Sequence, residues 1–172
     1  MQFAIGDKVI HPQYGPGQIT GIEGSESSDG GRQYYVIGIP RKGLTVHTPV
    51  GKAGGLGVRH AMSPSRIQRI LNMLSGKPHH LPDDYKARQQ LVGDRLETGQ
   101  AVQLAGVVRD LSWREKLSHL TKKDSDLLGT ALELLAAEIA LVSGETVSEV
   151  RELITTRLRA AMGAGSIPRR AD

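Results

Sequence analysis

Six histidines and eighteen carboxylates could supply acid–base or metal chemistry, so their spacing decides what they do. His79 and His80 are adjacent, but no cluster of further Asp, Glu or His with ligand spacing accompanies them. They read as an exposed pair in a connector. His11, His47, His60 and His119 stand singly among strand and turn residues with no recognisable Ser or Asp partner, and read as structural. No nucleophile–base pair, carboxylate pair or metal set emerges, so the chain reads as a non-enzyme that needs no cofactor and no metal. Gly51-Lys-Ala-Gly-Gly-Leu-Gly57 is glycine-rich, yet the Gly-Lys-Ser/Thr of a phosphate loop is absent and no buried strand precedes it.

The stretch Leu81 to Arg95 holds the residues best suited to touch nucleic acid. Pro82 fits at or just before a helix start, and Asp83 and Asp84 can accept from the first orphan N–H groups while suiting the positive end of the helix dipole. On that helix Tyr85, Lys86, Arg88 and Arg95 bring one ring and three cations to the entry of a helical half. From these residues alone a solvated amphipathic helix is the commoner use of such a pattern.

Charge and composition narrow the partners. The net charge of +4 in 172 residues favours acidic or polyanionic partners, but residues 1–62 hold six Lys and Arg against four Asp and Glu, and the remainder sixteen against fourteen. Any DNA contact must therefore be local. The absence of Cys excludes disulfides and thiolate chemistry and fits a reducing compartment. No stretch approaches eighteen consecutive apolar residues and no basic leader precedes an apolar run, so the expectation is a cytoplasmic protein without membrane contact. With only one Trp, one Phe and four Tyr, the cores must be aliphatic.

The elements that position these residues fall into two sets. Strand signals come first: a short strand after Gly6-Asp7, a reversal at Gln13 to Gly17, a strand from Gln18 to Glu23 with Ile19 and Gly21 on one face and Thr20 and Ile22 on the other, then Tyr34 to Ile39, Leu44 to Pro49, and Val58 to Ala61. The polar run from Gly24 to Gly31 predicts an exposed hairpin tip. Strands this short and turns this close predict a small SH3- or Tudor-like barrel or strongly bent sheet over 1–62, with an edge open to a partner strand. Ser63 and Pro64 start a helix over 63–76, expected to close the first module, and 77–82 is a stiff connector. An all-α bundle over 83–162 follows. Its helices are set by the Leu81 segment, by the Ala101 to Lys116 stripe, and by capping boxes at Thr121 and Thr146. Trp113 reads as a partly buried anchor of that bundle, and the tail over 163–172 as disordered. The fold class is α+β.

Together these residues resemble a family. Gly6-Asp-Lys-Val-Ile-His-Pro-Gln-Tyr-Gly15, Gly21-Ile-Glu23, Tyr34-Tyr-Val-Ile37, Leu44-Thr-Val46 with Pro49, and Gly57-Val-Arg59 are similar to the amino-terminal module of the CarD-like (CdnL) bacterial transcription regulators. That module is also similar to the polymerase-interacting domain of the transcription-repair coupling factor. Val107-Val-Arg-Asp-Leu111, Trp113-Arg-Glu-Lys116 and the Leu128 to Ala140 segment resemble the family's helical half, so the resemblance spans roughly residues 1 to 160. The exposed edge with Ile37, Ile39, Leu44, Thr45, Val46 and His47 is the expected docking site of a chain expected to be a monomer, and the resemblance implies that this first module binds the RNA polymerase β subunit. It also implies contact with promoter DNA at the upstream edge of the bubble, stabilising the open complex. The DNA-facing residues would be Tyr85, Lys86, Arg88 and Arg95, with Tyr85 standing where the family carries a Trp wedge. Ser25, His47 and Gln90 stand where relatives carry basic side chains. The alternative reading is an adaptor whose barrel binds polymerase and whose helical half binds another protein.

Overall fold

Gly15 and Gly17 shape the first reversal of the chain. Gly15 takes φ of +87°, and a Cβ on Gly17 would lie 2.5 Å from Ile39 Cδ1 and 2.6 Å from the Gly38 carbonyl oxygen, so the backbones close only over glycine. The computed structural model describes residues 2–24 and 32–164. Strands β1 (Lys8–His11), β2 (Gly15–Gly24), β3 (Gln33–Ile39), β4 (Leu44–Pro49) and β5 (Arg59–His60) form one antiparallel sheet in the order β4-β3-β2-β1-β5. Five helices follow among the described residues: α1 (Pro64–Leu74), α2 (Tyr85–Glu97), α3 (Ala101–Leu117), α4 (Lys122–Ser143) and α5 (Val147–Ala164). The α+β class holds. The predicted hairpin tip beyond Gly24 and the tail beyond Ala164 lie outside the described residues, while α5 runs past the predicted end at 162.

In β2 the register slips between Ile19, which faces Ile37, and Gly21, which faces Val36. This bulge at Thr20 adds one residue and reverses the alternation after it. Ile19 and Ile22 therefore pack into the same core, whereas strict alternation places them on opposite faces. That core is built from Phe3, Val9, Ile19, Tyr35, Ile37, Ile39, Ala53 and Val58. Its one buried hydroxyl, Tyr35 Oη, accepts from the Gln2 and Phe3 N–H groups at 3.0 Å each. At the β1–β2 turn, His11 Nδ1 accepts from Gln13 N–H at 3.2 Å and Tyr14 N–H at 3.4 Å.

The helical core draws on all five helices and on Met62 and Leu81 at their margins. Helix α1 places Ile70, Leu71 and Leu74 in this cluster, packing on α3 and α5, so it belongs with the helices and does not close the sheet module. Its apolar stripe was readable, but periodicity does not say which neighbour covers it. The connector after it lies along α3: Leu81 is buried, and His79 N–H donates to Asp110 Oδ1 at 2.9 Å.

The two halves meet through α4, which packs across β1 and β2. Glu138 of α4 is 1% exposed and accepts from both terminal nitrogens of Arg59, at 2.9 and 2.8 Å, and from Met62 N–H at 2.9 Å. Arg59 also donates to the Gly99 carbonyl, and Arg41 pairs with Glu133 at the other margin of the contact. A buried carboxylate satisfied by three donors holds the joint.

Candidate functional site

Helix α2 begins where Asp84 caps it, accepting from Ala87 N–H at 2.8 Å. That start places Tyr85 and Lys86 in the first turn, and both are exposed, Tyr85 by half its surface. Arg88, one turn on, points the other way and is 2% exposed. Its Nη2 and Nε donate to the two carboxylate oxygens of Asp124, at 2.8 and 3.2 Å, while Nη1 donates to the Pro82 and Asp83 carbonyls. Arg88 is thus fully engaged inside the protein and offers no donor to a phosphate, contrary to its place among the expected DNA contacts. Counting along one helix groups it with Lys86, but the partner that buries it lies 36 residues away.

Asp124 serves two structures at once. It completes the capping box of α4, receiving Thr121 N–H at 3.1 Å and Thr121 Oγ1 at 2.9 Å, and it receives Arg88. Burial raises its pKa, but the Arg88 and Thr121 hydrogen bonds and the Arg88 charge outweigh burial and hold the carboxyl below its ordinary value. Gln89 Nε2 adds a bond to Thr121 Oγ1 at 3.0 Å. These contacts bring the first turns of α2 and α4 side by side.

The paired N-termini carry Lys86 on α2 and Lys122 and Lys123 on α4, all exposed. A cation in the first turn of a helix opposes the macrodipole, an opposition that the Asp84 and Asp124 carboxylates at the same ends offset. Orphan N–H groups at the same ends suit phosphate oxygens. Lys122 and Lys123 were missed in the sequence, although two lysines inside the Thr121 to Asp124 capping box were a legible signal. Arg95 Nη1 instead reaches Asp110 Oδ2 at 3.2 Å, half-buried on the α3 side. There Asp110 also binds Arg109 at 2.8 Å. His79, exposed in the connector as expected, stands at the rim of this cluster with its Nδ1 3.2 Å from Arg109 Nη2.

Trp113 is buried, with Lys116 Nζ 5.5 Å from its ring centroid, as expected of a bundle anchor. Tyr85, by contrast, lies in no core, which removes the possibility that it packs under a neighbouring helix.

On the sheet, β4 pairs among the described residues with β3 alone, leaving its other edge without a strand there. Leu44, Thr45 and His47 are exposed and Val46 is half-buried. Ile37 and Ile39, grouped with them in the sequence, are interior to β3 and fully in the core, so they support the edge without facing a partner. Beside β4 a shallow hollow of about 520 Å³ is lined by Tyr14, Val46, His47, Pro49 and Leu56 among others. Leu56 in this lining and Leu44 at the start of β4 are exposed apolar side chains. His47 Nε2 lies 3.4 Å from Glu23 Oε2.

No single helix among the described residues is long and apolar enough to cross a membrane. A family profile described as CarD, C-terminal domain, matches residues 69–155, and one described as CarD-like/TRCF RID domain matches residues 3–61. The chain is 28% identical to a Bacillus subtilis (strain 168) protein named "Putative transcription factor YdeB" over 149 residues, 87% of this chain and 97% of the relative.

Proposed function

The chain belongs to the CarD family of transcription regulators, whose C-terminal profile covers half of it and whose Tudor-like N-terminal domain matches the sheet, and on that premise we propose that it docks on RNA polymerase and steadies the open promoter complex. The sheet meets the polymerase β subunit by adding a partner strand to the free edge of β4 over Leu44 to His47. Main-chain bonds supply affinity there, and the hollow lined by Val46, His47 and Leu56 supplies side-chain selectivity. The paired N-termini of α2 and α4 meet promoter DNA at the upstream edge of the melted region. Lys86, Lys122 and Lys123 neutralise phosphates, and Tyr85 stacks on a base step already opened by melting. The protein acts as a monomer and catalyses no reaction.

The observation that carries this reading is the presence, in one chain, of an unpaired sheet edge and an exposed ring set among first-turn lysines. Arg88 and Asp124 act as positioning residues, since their buried pair aims Tyr85 and Lys86 outward.

A co-purification experiment tests the docking step. Successive N–H groups of a strand point to opposite edges, so one of Thr45→Pro and Val46→Pro removes an outward donor while the pairing with β3 survives. Of these two variants, the one that keeps the wild-type melting temperature is expected to lose polymerase. Retention of polymerase by that folded variant would place the interface elsewhere.

A further inference from the structure

From Gly30 to Pro82 the sequence has no carboxylate side chain, yet it holds eight Lys and Arg. Two of these, Arg41 and Arg59, are matched by Glu133 and Glu138 of α4. Arg66 and Arg69 are not matched: both are exposed on α1, one turn apart, and neither joins an ion pair among the described residues. Helix α5 brings a third guanidinium to the same place. Arg157 Nη1 donates at 3.3 Å to Asn72 Oδ1, which also accepts from Gln68 Nε2 at 2.9 Å. Of the two α5 carboxylates, Glu152 sits five residues before Arg157, about 140° around the helix, and Glu149, more than two turns away, accepts from Thr146 at the helix start.

We propose that this face of α1 and α5, carrying Arg66, Arg69 and Arg157, is a second phosphate-binding surface that grips the backbone of duplex DNA. It rests on the DNA-contacting reading above but is a different surface: α1 packs on α3 and α5, whereas α2 packs on α3 and α4. The chemistry favours a phosphate backbone over an acidic protein. None of the exposed large apolar side chains (Ile5, Leu44, Leu56, Tyr85, Val102 and Leu117) lies on α1 or α5, so the face lacks the apolar anchors that give protein interfaces their energy. Guanidinium groups flanked by the side-chain amides of Gln68 and Asn72 offer hydrogen-bond donors to phosphate oxygens without reading bases. The contact is therefore indifferent to sequence and adds grip rather than specificity.

The test is fluorescence anisotropy of the full chain on a labelled duplex of mixed sequence, titrated from about 50 to 200 mM KCl. Arg66→Ala with Arg69→Ala is expected to make the plot of log affinity against log salt shallower by about 1.8, roughly 0.9 for each phosphate that is no longer neutralised. Arg66→Gln with Arg69→Gln should do the same, and both variants should keep the wild-type melting temperature. Lys122→Ala with Lys123→Ala tests the other surface separately. If the lysine variant loses slope and the arginine variants do not, the second surface is refuted and the α2–α4 surface stands. If the arginine variants keep the DNA slope but lose polymerase in co-purification, the face belongs to a protein partner and the proposal is overturned. A wild-type chain with no salt-dependent binding would overturn this proposal and the DNA half of the proposed function together.

Discussion

Arg88 and Asp124 are both buried, so each makes the other's charge tolerable. Removing one leaves the other unpaired in a poor solvent for ions, and Arg88→Ala is expected to cost about 3–5 kcal/mol in urea unfolding, whereas Arg88→Met with Asp124→Leu recovers only part of it, because the Thr121 capping box loses its Asp124 acceptor. Because the folded Asp124 pKa lies below its ordinary 3.8, the pair's contribution is fully present above that value and is lost as pH falls through the lower folded value. His11 gives a second pH effect in a milder range. Burial, then the charge of Lys42, holds its pKa below 6.5, so the unfolded chain takes up the proton first. Protonation also removes the acceptor that Gln13 and Tyr14 use. Stability should be unaffected by His11 above about pH 6.5 and should decline below it, and His11→Asn should flatten that decline in melting curves between about pH 7.5 and 5.5. Sequence showed the types of these residues but not their use. A helix face can be counted from spacing, whereas the partner that buries Arg88 comes from a contact 36 residues away.

At the scale of elements, local chemistry was largely legible because it is decided within a few residues. The Thr121 and Thr146 capping boxes, the stop at Gly144 and the span of β4 follow from side chains acting on their nearest backbone. The position of α1 and the phase of β2 after Thr20 were not legible, since one depends on which layer covers an apolar stripe and the other on a bulge set by pairing with β3. The β2–β3 approach makes its own prediction. Gly17→Ala would drive a Cβ against the Gly38 carbonyl, which cannot swing away as a side-chain end can. The expected cost is about 1–3 kcal/mol, read as a lower urea midpoint with unchanged helical signal per folded molecule. Full wild-type stability in that variant would mean that the strands separate there without penalty.

At the scale of the whole molecule, Arg59, Glu138 and the packing of α4 on the sheet fix the free edge of β4 relative to the N-termini of α2 and α4. On the proposed reading the same chain would hold polymerase at one end and the edge of the melted DNA at the other, with the half-exposed Tyr85 among its contacts. The resemblance to the family pointed to both proposed surfaces in the sequence, but it could not separate Tyr85 and Lys86, which face out, from Arg88, which does not. The most direct measurement is the lifetime of the open promoter complex, after challenge with a competitor, in the presence of wild-type chain, Tyr85→Ala and Tyr85→Trp. Stacking a base on a ring is worth about 1–3 kcal/mol, so Tyr85→Ala should shorten the lifetime roughly 5-fold or more while leaving polymerase binding and melting temperature unchanged. Tyr85→Trp should lengthen it. Equal lifetimes for all three folded, polymerase-bound proteins would contradict the account.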